Sequence, residues 1–149
     1  MSTDKNRTKT RIAVYLIGMR DHSILLGKRI NAQHMNNHWS LPAGHVMESE
    51  SIIDAIIREC SEEIGISLCK SDLHLVGSLH QFSDPYDYAN YIFKVDLSPY
   101  NPVNSEPEKC ESLDFFDINN LPEPMAPYIK FIIDNSTKTD LPWIKEIGF

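Results

Sequence analysis

The order of hydrophobic and polar positions divides the chain into short strands, two helices and polar loops. Apolar or alternating runs of strand length lie at 11–19, 23–29, 38–41, 73–82, 88–97 and 112–118. Two segments, 50–64 and 125–135, instead repeat their apolar residues at helical spacing. Strands outnumber helices, and tight turns at 20–22 and 83–86 join neighbouring strands as hairpins. The pattern predicts an α+β fold in which a mixed sheet carries a helix on each side.

Neither an internal repeat nor a linker interrupts this pattern, so we expect one domain over residues 1–149. The polar start, residues 1–10, is expected to be frayed. The region 98–111 contains three prolines and is expected to be a long loop. The tail, 136–149, is expected to dock on the body through Trp143 and Ile144.

Composition excludes several classes of protein. The chain has 149 residues, 14 Lys and Arg against 21 Asp and Glu, and a net charge of -7. An acidic chain is a poor partner for a long nucleic acid, which is bound through its phosphates. The apolar run at 12–19 is too short to span a membrane, and three cysteines at unrelated spacings fit reduced thiols. We therefore expect a cytoplasmic protein that binds neither membranes nor long nucleic acids.

The acidic charge is concentrated in two segments. Residues 44–66 and residues 104–123 each contain six acids and one base, whereas residues 1–43 carry a net charge of +5. Such acidic segments repel a phosphate compound unless a bound metal reverses the local sign. The net charge therefore does not exclude a small ligand that carries phosphates.

The first predicted helix carries the candidate chemistry. On a helical wheel its apolar stripe consists of Ile52, Ile53, Ile56, Ile57, Cys60 and Ile64. Glu59, Glu62 and Glu63 form a second arc directly beside that stripe, with Ala55 one turn earlier, where a small side chain leaves room above the acids.

Two interpretations of the three glutamates are open. They could form a solvated acidic face, as on many helices. Against this, the helix dipole disfavours negative charge in the last turn, and the arc borders the core instead of lying opposite to it. Clustered carboxylates suit Mg²⁺ or Mn²⁺, which prefer oxygen ligands.

The flanks of the helix favour the metal interpretation. Residues 41–45 read as a strand ending in a bend, whose carbonyl groups can face the helix. Glu50 lies eight residues before Arg58, and a loop that curls back would let the two side chains pair. Gly65, directly after Ile64, fits a left-handed cap at the end of the helix.

Together these residues resemble a known motif. The series Gly44, Glu50, Arg58, Glu59, Glu62, Glu63 and Gly65, with apolar Cys60 and Ile66, resembles the Nudix box at every fixed position and spacing. The resemblance implies a Nudix-type α/β/α sandwich, with a mixed β-sheet between helices, over about residues 10–135.

The resemblance also implies an activity, the metal-dependent hydrolysis of a nucleoside diphosphate linked to another group. Mg²⁺, or alternatively Mn²⁺, is the implied cofactor. Its ligands would be Glu59, Glu62 and Glu63, with the backbone at Ala43 and Gly44. One glutamate, often that at the position of Glu59, would orient or deprotonate the attacking water.

Two residues of the motif would support this chemistry, and one position departs from the family. Arg58 and Glu50 would hold the catalytic groups in place. Ala43 stands where many relatives have glycine. Since alanine tolerates a positive φ poorly, either the backbone there is ordinary or the loop is altered.

The substrate is implied less specifically. The strand at 23–29 is similar to the second strand of MutT-like nucleoside triphosphate diphosphatases, in which Arg29 would point to the phosphates. The segment 106–112 offers Glu111, or secondly Glu108, as a further carboxylate, and His45 could touch phosphate. We expect a nucleoside triphosphate to be cleaved to the monophosphate and pyrophosphate.

Other interpretations stay open at this point. ADP-ribose or a dinucleoside polyphosphate could be the substrate, although the proline typical of ADP-ribose hydrolases is absent near Gln81. A non-catalytic Nudix module that binds nucleotides is the alternative from another class; such modules usually lose a box glutamate. The sequence is compatible with a monomer or a homodimer.

Overall fold

The computed structural model describes residues 6–83 and 85–149. Its elements, in chain order, are β1 (Thr10–Arg20), β2 (Ser23–Arg29), β3 (Trp39–Ser40), β4 (Ala43–His45), α1 (Ile52–Ile64), β5 (His74–Ser83), β6 (Tyr86–Asp96), β7 (Cys110–Asp117), α2 (Pro127–Thr137) and β8 (Trp143–Ile147). A short 3-10 helix, Lys70–Asp72, precedes β5. Residues 1–5 of the predicted frayed start and residue 84 of the predicted turn lie outside the described residues.

The strands form one mixed sheet, as predicted. Its order is β3-β2-β1-β6-β5-β8, with β4 paired to β1 and β7 paired to β2. The pairs β1–β6 and β5–β8 are parallel, and the other pairs are antiparallel. The predicted hairpin of β1 and β2 is paired only at its tip, through Met19–Ile24 and Arg20–Ser23. Beyond that tip β4 pairs with β1.

Each face of the sheet is covered by one helix. Ile56, Cys60 and Ile64 of α1 pack with Val14 and Leu16 in one buried cluster. On the other face, α2 contributes three residues to a second cluster, together with residues of β1, β2, β5 and β6; the α2 residues are Ile129, Ile132 and Ile133. Alternate residues of a strand point to opposite faces, so one sheet supplies both cores. The result is an α/β/α sandwich.

Most predicted boundaries, including the start of α1, agree with the structure to within two residues. Two strands, β4 and β8, differ from the prediction. Helix α1 begins at Ile52 instead of residue 50, because Ser51 caps it: its hydroxyl accepts the Asp54 N–H at 3.0 Å. The segment 41–45, read as a strand ending in a bend, contains β4 after the buried Pro42. The second difference is β8, since the tail had no predicted strand.

The tail lies along β5 through β8 and is held mainly by Trp143. This side chain meets the Phe131 ring edge-on at 5.5 Å and donates a hydrogen bond to Ser136 at 3.3 Å. The prediction that Ile144 also docks on the body is wrong, because that residue is 73% exposed. The two side chains differ because neighbours on a strand point to opposite faces, and α2 covers only the face of Trp143.

None of the helices in the described part of the chain is long and apolar enough to cross a membrane. The three cysteines are free thiols: Cys60 is buried, Cys69 is exposed and Cys110 is partly buried.

Candidate active site

Helix α1 is held at both ends, and this fixes where its acids lie. Ser51 caps the start, and Gly65 ends the helix with a φ of 65°. That left-handed conformation confirms the cap predicted from the sequence, and glycine adopts it without strain. The main-chain N–H groups of Val103 and Ser105 then bind the carbonyls of Ile64 and Glu63, at 2.9 and 3.1 Å. The end of α1 is thereby tied to the loop that precedes β7.

One side-chain prediction for α1 is wrong. Ala55 was expected to leave an open space above the acids, but it is fully buried in the core with Ile56. Ala55 lies one turn before the acids, in an arc that adjoins the apolar stripe. It therefore lies where α1 packs against the sheet. The small side chain allows a close approach of α1 to the sheet.

Strand β4 and Glu59 are in van der Waals contact. A Cβ atom built on Gly44 would lie 2.0 Å from the Glu59 Cδ atom, so any larger residue would displace the carboxylate. Among the described residues, neither Ala43 nor Gly44 has a positive φ. The backbone at Ala43 is therefore ordinary strand, and the substitution of alanine for glycine is tolerated there. The glycine at 44 is required by space and not by conformation.

Glu63 approaches the same strand from the last turn of α1. Its carboxylate accepts the main-chain N–H of Ala43 at 3.2 Å. The carbonyl of His45 accepts from Arg58, so the outward backbone groups of β4 are turned to α1. Burial raises the pKa of Glu63, and the charge of Glu59 raises this pKa further. Two carboxylates are thus held close together in a partly buried position.

Arg58 joins the acidic groups around α1. Its guanidinium donates to Glu50 at 2.7 and 3.0 Å, to Glu59 at 2.8 Å and to Glu62 at 3.2 Å. These contacts lower the pKa of Glu50 to about 2, chiefly through the Arg58 hydrogen bond and then through the Met47 N–H. The predicted pair of Glu50 and Arg58 is present, and it closes the loop between β4 and α1.

The three glutamates of the acidic arc on α1 differ in exposure. The side chain of Glu59 is 14% exposed and that of Glu62 is 53% exposed. Within the described part of the chain, no three His, Cys, Asp or Glu side chains are arranged to hold a metal ion. The Arg58 guanidinium instead occupies an oxygen of Glu59 and of Glu62. Arg58 binds only one oxygen of each carboxylate, so it does not by itself prevent either group from binding a cation.

A cavity of about 430 Å³ adjoins Glu63. Its walls are formed by the end of β2, the loop 30–34, residues 40–43, and by Glu106, Lys109 and Cys110. Glu63 and Glu106 supply its acidic groups, and Lys28, Arg29 and Lys109 supply its basic ones. The cavity therefore combines groups that can hold a cation with groups that can hold a phosphate.

Glu106 is the acidic residue that sequence reasoning missed. It lines the cavity, and its charge contributes to raising the pKa of Glu63. The adjacent Ser105 N–H binds the carbonyl of Glu63, which fixes the loop at this position. The proline-rich loop gave no periodicity from which to choose among its glutamates; the hydrogen bonds to the end of α1 decide which one faces the site.

The other predicted residues each make contacts of their own. The Glu111 carboxylate pairs with Lys28 at 3.1 Å, and Glu108 is exposed. His45 lies outside the cavity and its ring neighbours that of Tyr88 at 6.1 Å. Arg29 lines the cavity and donates to the His34 carbonyl at 3.2 Å, and its expected role towards phosphates stays a prediction.

Comparison with known proteins identifies the family of this chain. The model of the NUDIX domain matches residues 7–135. An ADP-ribose pyrophosphatase of Methanocaldococcus jannaschii is 33% identical over 128 residues, 83% of this chain and 71% of that protein. An 8-oxo-dGTP diphosphatase of Proteus vulgaris is 30% identical over 79 residues, 53% of this chain and 70% of that protein.

A solved structure shares the fold. The crystal structure of a MutT NUDIX hydrolase from Burkholderia pseudomallei has a TM-score of 0.77 and 26% identity, covering 87% of this chain and 99% of that one. The family model spans the whole sheet except β8 and includes the box on α1. The chain belongs to the Nudix family and is a MutT-like Nudix hydrolase.

Proposed function

We propose that this protein hydrolyses a nucleoside triphosphate to the monophosphate and pyrophosphate in a reaction that depends on Mg²⁺, with Mn²⁺ as an alternative. The observation that supports this most directly is the packing of Glu59 and Glu63 against the backbone of β4, at the edge of a cavity that also contains Arg29. A cavity that contains both carboxylates and cations matches a metal-bound polyphosphate.

The donor set fits a hard divalent cation. Glu59 and Glu63 are partly buried, and burial first, then repulsion by the Glu59 charge, raises the pKa of Glu63. A cation between them would relieve that repulsion, and oxygen ligands are those that Mg²⁺ prefers. Glu59, Glu62 and Glu63 would hold it, with the carbonyl of Ala43 turned to the same side. When bound, the metal would stabilise negative charge on the phosphate oxygens.

The remaining chemistry falls to residues of this chain. Glu59 would accept the proton of the attacking water. Gly44 allows its carboxylate to lie beside β4, where this role places it. Arg58, held by Glu50, would keep the Glu59 carboxylate in place. Arg29 would bind the phosphates; among the described residues it forms no ion pair, so its charge is available.

We propose Glu106 as the further carboxylate of the site, ahead of the residues expected from the sequence. Glu106 lines the cavity and also pairs with Lys109 at 3.4 Å, whereas neither Glu111 nor Glu108 is among the residues that line the cavity. A metal that binds Glu63 is close enough to Glu106 for their charges to interact. His45 stays a weaker candidate for phosphate binding.

A second substrate class is favoured by one comparison. The longer of the two relative alignments is to an ADP-ribose pyrophosphatase. Both reactions cleave a pyrophosphate bridge, so the box glutamates serve either one. A cytoplasmic location and a monomeric or dimeric state stay predictions of the sequence.

The decisive experiment is a substrate panel assayed for released phosphate and pyrophosphate with Mg²⁺. It should contain ordinary and oxidised nucleoside triphosphates, ADP-ribose and dinucleoside polyphosphates. We expect the highest kcat/KM for a triphosphate. A higher kcat/KM for ADP-ribose would overturn the proposed triphosphate substrate. If no compound were turned over, the result would favour a nucleotide-binding module.

Matched variants test the roles of the glutamates. Glu62→Gln and Glu63→Gln should abolish turnover with the fold retained, whereas Glu111→Gln should have little effect and Glu106→Gln an intermediate one. Wild-type rates for both Glu62→Gln and Glu63→Gln would refute the metal assignment. Glu59→Gln should lower kcat more than it lowers Mg²⁺ affinity; equal losses would leave Glu59 as a ligand alone.

A further inference from the structure

Two segments that wall the cavity are tied together beyond the end of the sheet. The paired residues of β2 and β7 end at Arg29 and Cys110. After them, the Ile30 N–H donates to the Lys109 carbonyl at 3.1 Å. The Asn31 side-chain amide then donates to the Glu108 carbonyl at 2.9 Å. The chain therefore continues the pairing by two more hydrogen bonds, the second made by a side chain.

The conformation of Asn31 explains why a side chain takes over. Its φ is 54°, in the left-handed region, so the backbone turns away from the neighbouring segment at this residue. Asparagine tolerates that region better than other residues with a side chain, and its amide can still reach the carbonyl that the backbone leaves. Residues 32–34 line the cavity, and so do Glu106 and Lys109 on the neighbouring segment.

We propose that Asn31 is a positioning residue that latches the loop 30–37 to the segment 106–110 and so fixes the width of the substrate cavity. The consequence for substrate binding rests on the function proposed above. Asn31 itself lines the cavity, and among the described residues it forms no hydrogen bond to a glutamate of the box. It acts through the Glu108 carbonyl, two residues from Glu106 and one from Lys109.

Asn37 provides a matched control. It has a φ of 60° in the same loop, but no hydrogen bond of its side chain is found among the described residues, and it does not line the cavity. Asn31→Gly and Asn37→Gly both keep a left-handed backbone and both remove the amide. Only the first removes the latch.

The first measurement is hydrogen–deuterium exchange of the intact protein without nucleotide. We expect the amides of Ile30 and Lys109 to exchange about threefold faster in Asn31→Gly than in wild type, the effect of losing one exposed hydrogen bond. They should exchange at the wild-type rate in Asn37→Gly. Equal exchange in wild type and Asn31→Gly, or equal acceleration in both variants, would overturn the latch whatever the protein hydrolyses.

The second measurement is the affinity for a methylene analogue of a nucleoside triphosphate with Mg²⁺, together with KM and kcat. Asn31→Gly should raise the Kd and KM about threefold and leave kcat within twofold, while Asn37→Gly changes none of them. An unchanged Kd and KM in Asn31→Gly with faster exchange would overturn the effect on substrate. If wild type neither binds the analogue nor turns over a nucleotide, the proposed function and this effect both fail, while the exchange result still decides the latch.

Discussion

At the scale of single residues, glycines at contact positions separate activity from stability. Gly44 leaves room for the Glu59 carboxylate, and Gly77 leaves room for the Trp143 ring, since a Cβ there would lie 2.1 Å from Trp143 Cε2. The first neighbour is the far end of a flexible side chain, and the second is a rigid ring packed against α2. Replacing glycine by alanine should therefore lower mainly the activity at position 44 and mainly the stability at position 77.

We predict that Gly44→Ala lowers kcat about 100-fold, because it displaces Glu59 by an ångström or more from its place beside β4. The free energy of unfolding should change by less than about 1 kcal/mol, since a glutamate can turn away at small cost. Steady-state kinetics and urea unfolding of the same preparation measure both. Gly77→Ala is the contrast: it should destabilise the fold and spare kcat. A wild-type kcat in Gly44→Ala would refute the placement of Glu59.

The ion pair of Glu50 and Arg58 predicts a pH dependence of stability. Hydrogen bonding to Arg58 lowers the pKa of Glu50 to about 2, from 4.5 in the unfolded chain. A lowered pKa stabilises the fold above the unfolded value, and this stabilisation is lost as the pH falls through the folded one. Glu50→Gln should thus have a lower Tm than wild type at pH 7, with a gap that closes towards pH 2.

The control for this prediction is Glu48→Gln, which changes the charge equally. Glu48 is exposed and, in the described part of the chain, forms no ion pair. Its Tm should follow that of wild type from pH 7 to pH 2. A constant gap between Glu50→Gln and wild type over that range would show that the pair does not carry the effect.

At the scale of elements, the sequence predicted the parts of the fold that repeat and missed those fixed by distant contacts. Helix α1, with its acidic arc beside the core, followed from helical periodicity, and the spacing of Glu50 and Arg58 predicted their pair. Strand β8 could not be foreseen, because its five residues become a strand only by lying on β5. The choice of Glu106 over Glu111 likewise depends on the hydrogen bonds that tie its loop to α1.

Strand β8 lies outside the region that the family model matches, which ends at residue 135. We predict that Trp143→Ala lowers the free energy of unfolding by about 2 kcal/mol, through the lost contact with Phe131 and the space left over Gly77. Ile144→Ala, at an exposed site on the same strand, should cost less than about 0.5 kcal/mol. Chemical denaturation measures both, and equal losses would contradict the proposed anchoring by Trp143.

At the scale of the whole molecule, the charge of -7 is unevenly placed around the cavity. The acidic segments 44–66 and 104–123 meet where Ser105 binds the end of α1. Lys28, Arg29 and Lys109 line the same cavity, but Lys28 is paired with Glu111 and Lys109 with Glu106. Without a metal, Arg29 alone of these three cations is not offset by a carboxylate among the described residues.

This balance predicts that a nucleoside triphosphate binds only with a divalent cation. In EDTA, Glu59, Glu63 and Glu106 should repel the phosphates, and calorimetry should detect no binding of a methylene analogue; with Mg²⁺ the same titration should saturate. Glu63→Gln removes the proposed ligand, so it should weaken binding with Mg²⁺, and binding in EDTA should stay undetectable. Equal affinity of wild type in EDTA and in Mg²⁺ would mean that the basic wall alone holds the phosphates. The acids of α1 would then have no part in binding.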